Sequence, residues 1–424
     1  MRAAVFEPAD VVEIELDRPL PALRRRAAAR ARALVRLHGR PLGLVDLPLP
    51  RCGLSADACA RLVWDTLRAE IAAHLAGDGL GIPTALTADG LPASAGPGPC
   101  NAARGRRHAG PVSVVIATRD RPGPLARCLT SVAALDHDAF EVIVVDNAPA
   151  TAATKELIAR AHPGVRYLRE DRPGLAAAHN RGLAAATGAI VAFTDDDVTV
   201  DRRWLREIAA AFARDPRIGC VTGLILPAEL RTPAQLWADD HWGVAKGFRE
   251  RLYTRPLRHL SARAYPYTAG AFGSGANMAF RADALRALRG FDPGIGTGTP
   301  ARGGDDLAAF FAVIAAGRAI LFTPAALVWH WYAEDVATLR RQAYGYGAGL
   351  TAYLAKVVAD DPTRLVDLAA RAPAALAHTR GLARSRSPGD GRPADLRRLE
   401  RRGMAGGAAA YARGRLLAAR TGPA

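Results

Sequence analysis

Lysine is nearly absent from this chain. Of the 57 basic residues among 424, only Lys155, Lys246 and Lys356 are lysines, so the formal charge of +16 rests on arginine. So lopsided a choice beside abundant alanine reflects compositional bias as well as selection, and the charge is discounted accordingly. What remains favours anionic partners: nucleotides, acidic lipid surfaces or nucleic acid. No stretch interleaves aromatic and basic residues as nucleic-acid modules do, so no specific nucleic-acid partner is expected. Cysteine is scarce too. Cys52, Cys59, Cys100, Cys128 and Cys220 are odd in number and scattered, without metal-ligand spacing. That pattern argues against a disulfide scaffold and implies reduced thiols in a cytoplasmic protein. Long apolar runs are missing as well. Glu7, Asp10, Glu13 and Glu15 interrupt any leader-like segment. The best span candidate, Leu307 to Trp329, is broken by Gly317, Arg318 and Pro324.

What is present is a chain with 50% apolar residues, long enough for two or three domains. Residues 1–87 read as a small α+β segment. Val11 to Leu16 alternates like a half-buried strand, residues 33–37 and 44–49 add two more, and Ser55 caps a helix running to about His74. Residues 88–110, rich in Gly, Pro, Ala and Arg, read as a linker. From Pro111 strands alternate with helices. Residues 112–117, 140–145, 165–168 and 190–193 are β-branched or apolar runs separated by helical patterns, which implies βαβ units and a parallel sheet. The domain is expected over 111–350, with a nucleotide-binding half at 111–223 and an acceptor half at 224–350. The aromatic-rich excursion at 231–268 reads equally as an acceptor wall or as packing. Residues 351–424 read as a helical extension with a basic tail. From Arg380 that tail carries eleven Arg against three acids. Disorder is the first expectation there, an arm on acidic lipid headgroups the second.

Chemistry gathers at the carboxyl ends of the strands, where open α/β sheets bind ligands. Thr118 and Arg119 end one strand, Asp146 another, and Asp195-Asp196-Asp197 a third. Asp195 and Asp197 can approach one ion if the chain bends after the strand, and hard divalent cations take such oxygen ligands. Asn180 and Arg181, in a helix of small residues, can donate to phosphate or sugar oxygens. Gly303-Gly304-Asp305-Asp306 opens an apolar helix, where a carboxylate is kept ionised and can accept a hydroxyl proton. His330 stands amid aromatics, a setting in which histidine is more often a core residue than a ligand.

Taken in order, these motifs resemble the family 2 glycosyltransferases with the GT-A fold. Residues 114–121 resemble that family's first strand and nucleotide loop, and 144–147 the second strand with its base- or ribose-reading acid. Residues 174–182 resemble its Gly-Leu-Ser-x-Ala-Arg-Asn-x-Gly stretch, Asp195-Asp196-Asp197 its Asp-x-Asp motif, and Gly304 to Leu307 its Gly-Glu-Asp motif. The resemblance implies a Rossmann-like mixed sheet flanked by helices. It also implies an inverting transfer of sugar from a nucleoside-diphosphate sugar donor to an acceptor hydroxyl. Mn²⁺ or Mg²⁺ would be held by Asp195, Asp197 and His330. Asp306, with Asp305 beside it, would be the catalytic acid pair, and Thr118, Arg119, Asp146, Asn180, Asp195 and Asp196 would bind the nucleotide sugar. A nucleotidyltransferase on a related sheet and a non-catalytic basic scaffold are the alternatives. The expected location is the cytoplasm, with peripheral contact to an acidic membrane surface.

Overall fold

The computed structural model describes residues 6–91, 100, 111–242, 246–255, 265–371 and 395–420. Most of the expected linker, part of the 231–268 excursion and the start of the basic tail lie outside them. In chain order the elements are β1 (Ala9–Glu15), β2 (Arg30–Leu37), β3 (Arg40–Pro48), α1 (Ala56–Gly77), β4 (Val112–Thr118) and α2 (Pro122–Ala133). Then come β5 (Phe140–Asn147), α3 (Ala153–Ala161), β6 (Arg166–Glu170), α4 (Leu175–Ala185), β7 (Ile190–Asp195), β8 (Val198–Val200), α5 (Trp204–Ala213) and β9 (Ile218–Pro227). The chain continues with α6 (Pro233–Trp242), β10 (Arg251–Tyr253), β11 (Asn277–Arg281), α7 (Ala282–Ala287) and α8 (Asp305–Ala315). It ends with β12 (Ala319–His330), α9 (Val336–Asp360) and α10 (Leu396–Arg420).

Two sheets form. In the N-terminal unit β1, β2 and β3 make a three-stranded sheet on which α1 packs through Val63, Leu67, Ile71 and Leu75. Ser55 caps α1 by accepting from the Ala58 N–H. The main sheet has nine strands in the order β10-β12-β9-β11-β7-β4-β5-β6, with β8 paired to β12. Strands β4 to β7 run parallel, as the alternation of elements predicts. β11 runs antiparallel to both β7 and β9, so the sheet is mixed rather than purely parallel. That reversal follows from the chain entering β11 from a short 3₁₀ turn at Ala269–Ala271 rather than from a crossover helix. Apolar clusters cover both faces of the sheet, which is why β4 is buried along its whole length.

The units are locked together by arginines. Arg32 pairs with Asp239 at 2.7 Å, and Arg36 with Asp201 at 2.7 Å. Arg203 donates to the carbonyl of His38 at 2.8 Å.

The end of the chain departs from the expected disordered tail. Residues 396–420 form α10, which lies along α9. Glycines make the approach close: a Cβ on Gly403 would sit 2.1 Å from the Tyr344 carbonyl oxygen, and one on Gly407 2.3 Å from that of Ala348. No helix among the described residues is long and apolar enough to cross a membrane.

Candidate active site

Pairing within the sheet assembles the acid cluster. β7 delivers Asp195, and the chain turns at once into β8, whose Val198 is paired with His330 at the end of β12. His330 is thereby set beside Asp197, its Nε2 3.5 Å from Asp197 Oδ1. One ligand atom each from Asp195, Asp197 and His330 lies within 4.8 Å of the others. His330 Nδ1 is buried and makes no hydrogen bond. Two carboxylates and an imidazole suit a divalent cation.

Asp306 reaches the same place from another direction. Gly304 has φ of 91°, a left-handed conformation that turns the chain into α8, and a Cβ there would lie 2.4 Å from the Gly349 carbonyl oxygen. Asp306 then accepts from the Leu307 N–H at 2.8 Å and from the Gly275 N–H at 2.9 Å. Gly275 precedes β11, whose Asn277 is the register partner of Thr194, next to Asp195. The base candidate and the acid triplet therefore border one cleft.

The cleft is short of positive charge. Desolvation, then Asp197, Asp196, Asp305 and Asp306, holds the Asp195 carboxyl well above the usual carboxylate range. Burial pushes Asp196 up to about 6, against the pull of Arg121. Asp306 is also raised by desolvation, with its two backbone donors and Lys246 pulling the other way. Lys246 itself is pushed down to about 8 by desolvation, opposed by Asp306. Tyr346 of α9, 51% exposed, opens toward the cleft. Its phenol is raised by desolvation and by the charges of Asp306, Asp195 and Asp197.

Several expected ligand contacts are taken by protein partners. Thr118 Oγ1 donates to Asp196 Oδ2 at 2.7 Å, and Arg121 holds Asp196 Oδ1 at 2.5 Å and Asp197 Oδ2 at 2.9 Å. Thr118 and Asp196 thus brace each other at the strand ends, as buried polar groups must be paired. The Asn180 amide pairs with the Phe291 backbone, donating at 2.7 Å and accepting at 2.8 Å. Asp146 is buried and accepts from Tyr167 at 3.1 Å, while its Oδ1 has no hydrogen-bond partner. Arg119 is exposed. Asp305 is 5% exposed and lies 3.8 Å from His179 Nδ1.

Three residues of the site escaped the sequence reading. Arg121 sits in the same strand-end turn as Thr118 and Arg119. Lys246 is one of only three lysines, and that rarity was its signal. Tyr346 stands one helical turn after Gln342 on α9, with nothing in its local pattern to mark it.

A mixed sheet with acids at its strand ends, faced by a carboxylate on a separate helix, makes this an α/β domain. Residues 113–289 match the model of Glycosyl transferase family 2. The pre-mycofactocin glycosyltransferase of Mycobacterium tuberculosis is 31% identical over 221 residues, 52% of this chain and 42% of that protein. The glucosyl-dolichyl phosphate glucuronosyltransferase of Haloferax volcanii is 24% identical over 193 residues, 44% of this chain and 57% of that protein. The chain thus spans about half the length of these relatives. Among solved structures, a mannosyltransferase from Pyrobaculum calidifontis in complex with GDP-Man and Mn²⁺ aligns with a TM-score of 0.45 at 21% identity, covering 74% of this chain and 88% of that one.

Proposed function

We propose that the protein is an inverting glycosyltransferase that moves a sugar from a nucleoside-diphosphate sugar to an acceptor hydroxyl. The observation that carries this reading is the meeting of Asp195, Asp197 and His330 with Asp306 around one electronegative cleft. Asp195, Asp197 and His330 would hold Mn²⁺ or Mg²⁺. When bound, such an ion supplies positive charge against the departing diphosphate. Arg121 keeps Asp196 and Asp197 in place and offsets part of their charge.

Asp306 would take the proton of the acceptor hydroxyl as that oxygen attacks the anomeric carbon from the face opposite the leaving group. The N–H groups of Gly275 and Leu307 aim its carboxylate and favour the ionised form. The exposed Arg119 and the unpaired Oδ1 of Asp146 are the donor-side groups of this proposal. Tyr346 and Lys246 would line the acceptor side, since both lie within electrostatic reach of Asp306.

The test is a panel of nucleotide sugars with Mn²⁺, scored by mass spectrometry. Glycosyl transfer or hydrolysis releases nucleoside diphosphate, whereas release of pyrophosphate would mark a nucleotidyltransferase. Asp306→Asn is expected to lower turnover by 10²-fold or more, on the order of a lost general base, while donor binding persists. Ordinary turnover by that variant would refute the assignment.

A further inference from the structure

A second convergence lies outside the cleft, in the N-terminal unit. The β2–β3 turn holds His38 at φ of 56°, with its ring fully buried. The last turn of α1 carries His74, and Asp78 is that helix's C-cap, four residues on. Residues four apart on a helix share one side, so both point at the same spot. The chain then comes back with Cys100, whose N–H donates to Asp78 Oδ1 at 3.3 Å. His38 Nδ1 is 3.0 Å from His74 Nε2 and 2.9 Å from Asp78 Oδ2, and His74 Nε2 is 3.5 Å from that same oxygen. One ligand atom from each of the four residues, the Cys100 sulfur included, lies within 4.8 Å of the other three.

We infer that His38, His74, Asp78 and Cys100 form a four-ligand site for zinc in the N-terminal unit, beside its contact with the domain carrying the acid cluster. Zinc bonds of about 2.0–2.3 Å to N, O and S in a tetrahedron put neighbouring ligand atoms roughly 3.3–3.6 Å apart. The observed nitrogen and oxygen separations, 2.9 to 3.5 Å, need only small adjustments to enclose the ion. Hydrogen bonding alone serves the cluster less well. His38 Nδ1 faces both an imidazole nitrogen and a carboxylate oxygen and carries at most one proton, so it can donate to one of them only.

The ligand types choose the metal. A thiolate with two imidazoles favours zinc over Mg²⁺ or Mn²⁺, which prefer oxygen. Four protein ligands leave no open position, the mark of a structural rather than a catalytic site. Binding releases the Cys100 proton to solvent, because the thiolate is the ligand. Arg40 and Glu207 flank the cysteine with opposite charges. Cysteine spacing in the sequence gives no sign of such a site. Here a single cysteine joins two histidines and an aspartate from three separate stretches.

Position gives the site its purpose. The carbonyl of His38 accepts from Arg203, and Arg36, at the end of the same strand, pairs with Asp201. Both partners lie in the turn between β8 and α5, a few residues beyond the acid triplet. Cys100 opens the segment that leads into β4. A metal here would tie a hairpin tip, a helix end and Cys100 at one point.

The test uses the full chain produced with zinc and manganese in the medium, dialysed against metal-free buffer and measured by inductively coupled plasma mass spectrometry. About one zinc per chain is expected to survive dialysis in the wild type and in Asp197→Asn, and to be lost in Cys100→Ala and His74→Gln. Cobalt-substituted wild type is expected to show a thiolate-to-metal absorption band in the near ultraviolet, a readout that does not depend on any variant folding. A wild type that takes up no zinc, cobalt without the thiolate band, or zinc lost in Asp197→Asn but kept in Cys100→Ala would each overturn the site.

Discussion

Asp305 and Asp306 are adjacent in sequence and differently employed. Asp306 is held by two N–H donors at the cleft, while Asp305 is enclosed beside His179 and Gly296. Burial, and then the charge of Asp306, pushes the Asp305 carboxyl up to about 7. Burial likewise pushes His179 down to about 3, so its imidazole is neutral at neutral pH and offers no counter-charge. The sign follows from linkage. A folded-state value above the unfolded one, 3.8, favours folding fully below about pH 4, and that contribution is lost as pH rises through about 7. Asp305→Asn is therefore expected to raise the melting temperature by a few degrees near pH 8 and by clearly less near pH 5. Melts at the two pH values, without added divalent cation, check this. An equal loss at both would mean the side chain matters for its shape and not its charge. Spacing in the sequence cannot tell which side of a helix's first turn is enclosed.

At the scale of elements, Asn277 links more of the sheet than any residue the sequence singled out. Fully buried, it donates to the carbonyls of Leu224 at 2.9 Å and Ala326 at 2.8 Å, and accepts from the Trp204 indole at 2.9 Å. It thus ties β9, β11, β12 and α5 behind the acid strand. Asn277→Ala leaves those groups unpaired in a dry interior and is expected to cost about 2–4 kcal/mol, measured by urea unfolding. A cost below about 1 kcal/mol would show that the carbonyls find other donors. The strands themselves were legible, since β4, β5 and β7 are runs that only a buried sheet accommodates. Their direction was not fully legible. The reversal at β11 depends on a return from residues 265–276 that no periodicity reveals. The acids were readable because each ends a strand. Arg121, Lys246 and Tyr346 were not, because each reaches the cleft through tertiary packing.

For the whole molecule, the closing helix matters most. Composition made the basic C-terminal stretch look unstructured, since charge and small residues suggest no core. Its glycines reverse that inference, because they let α10 approach α9 backbone to backbone. Gly407→Val would drive a side chain into Thr351 and Ala348. It is expected to cost about 1–3 kcal/mol and to release 396–420 to limited proteolysis ahead of the rest of the chain. Persistence of that segment under protease in the variant would count against the packing described. Tyr411 of α10 also donates to Asp292 at 3.1 Å, and a Cβ on Gly414 would meet the Gly294 carbonyl oxygen at 2.1 Å. The loop so braced leads to Gly304 and Asp306. Shortening the protein before Leu396 would therefore leave every acid of the strand ends in the sequence and still loosen the loop that places Asp306.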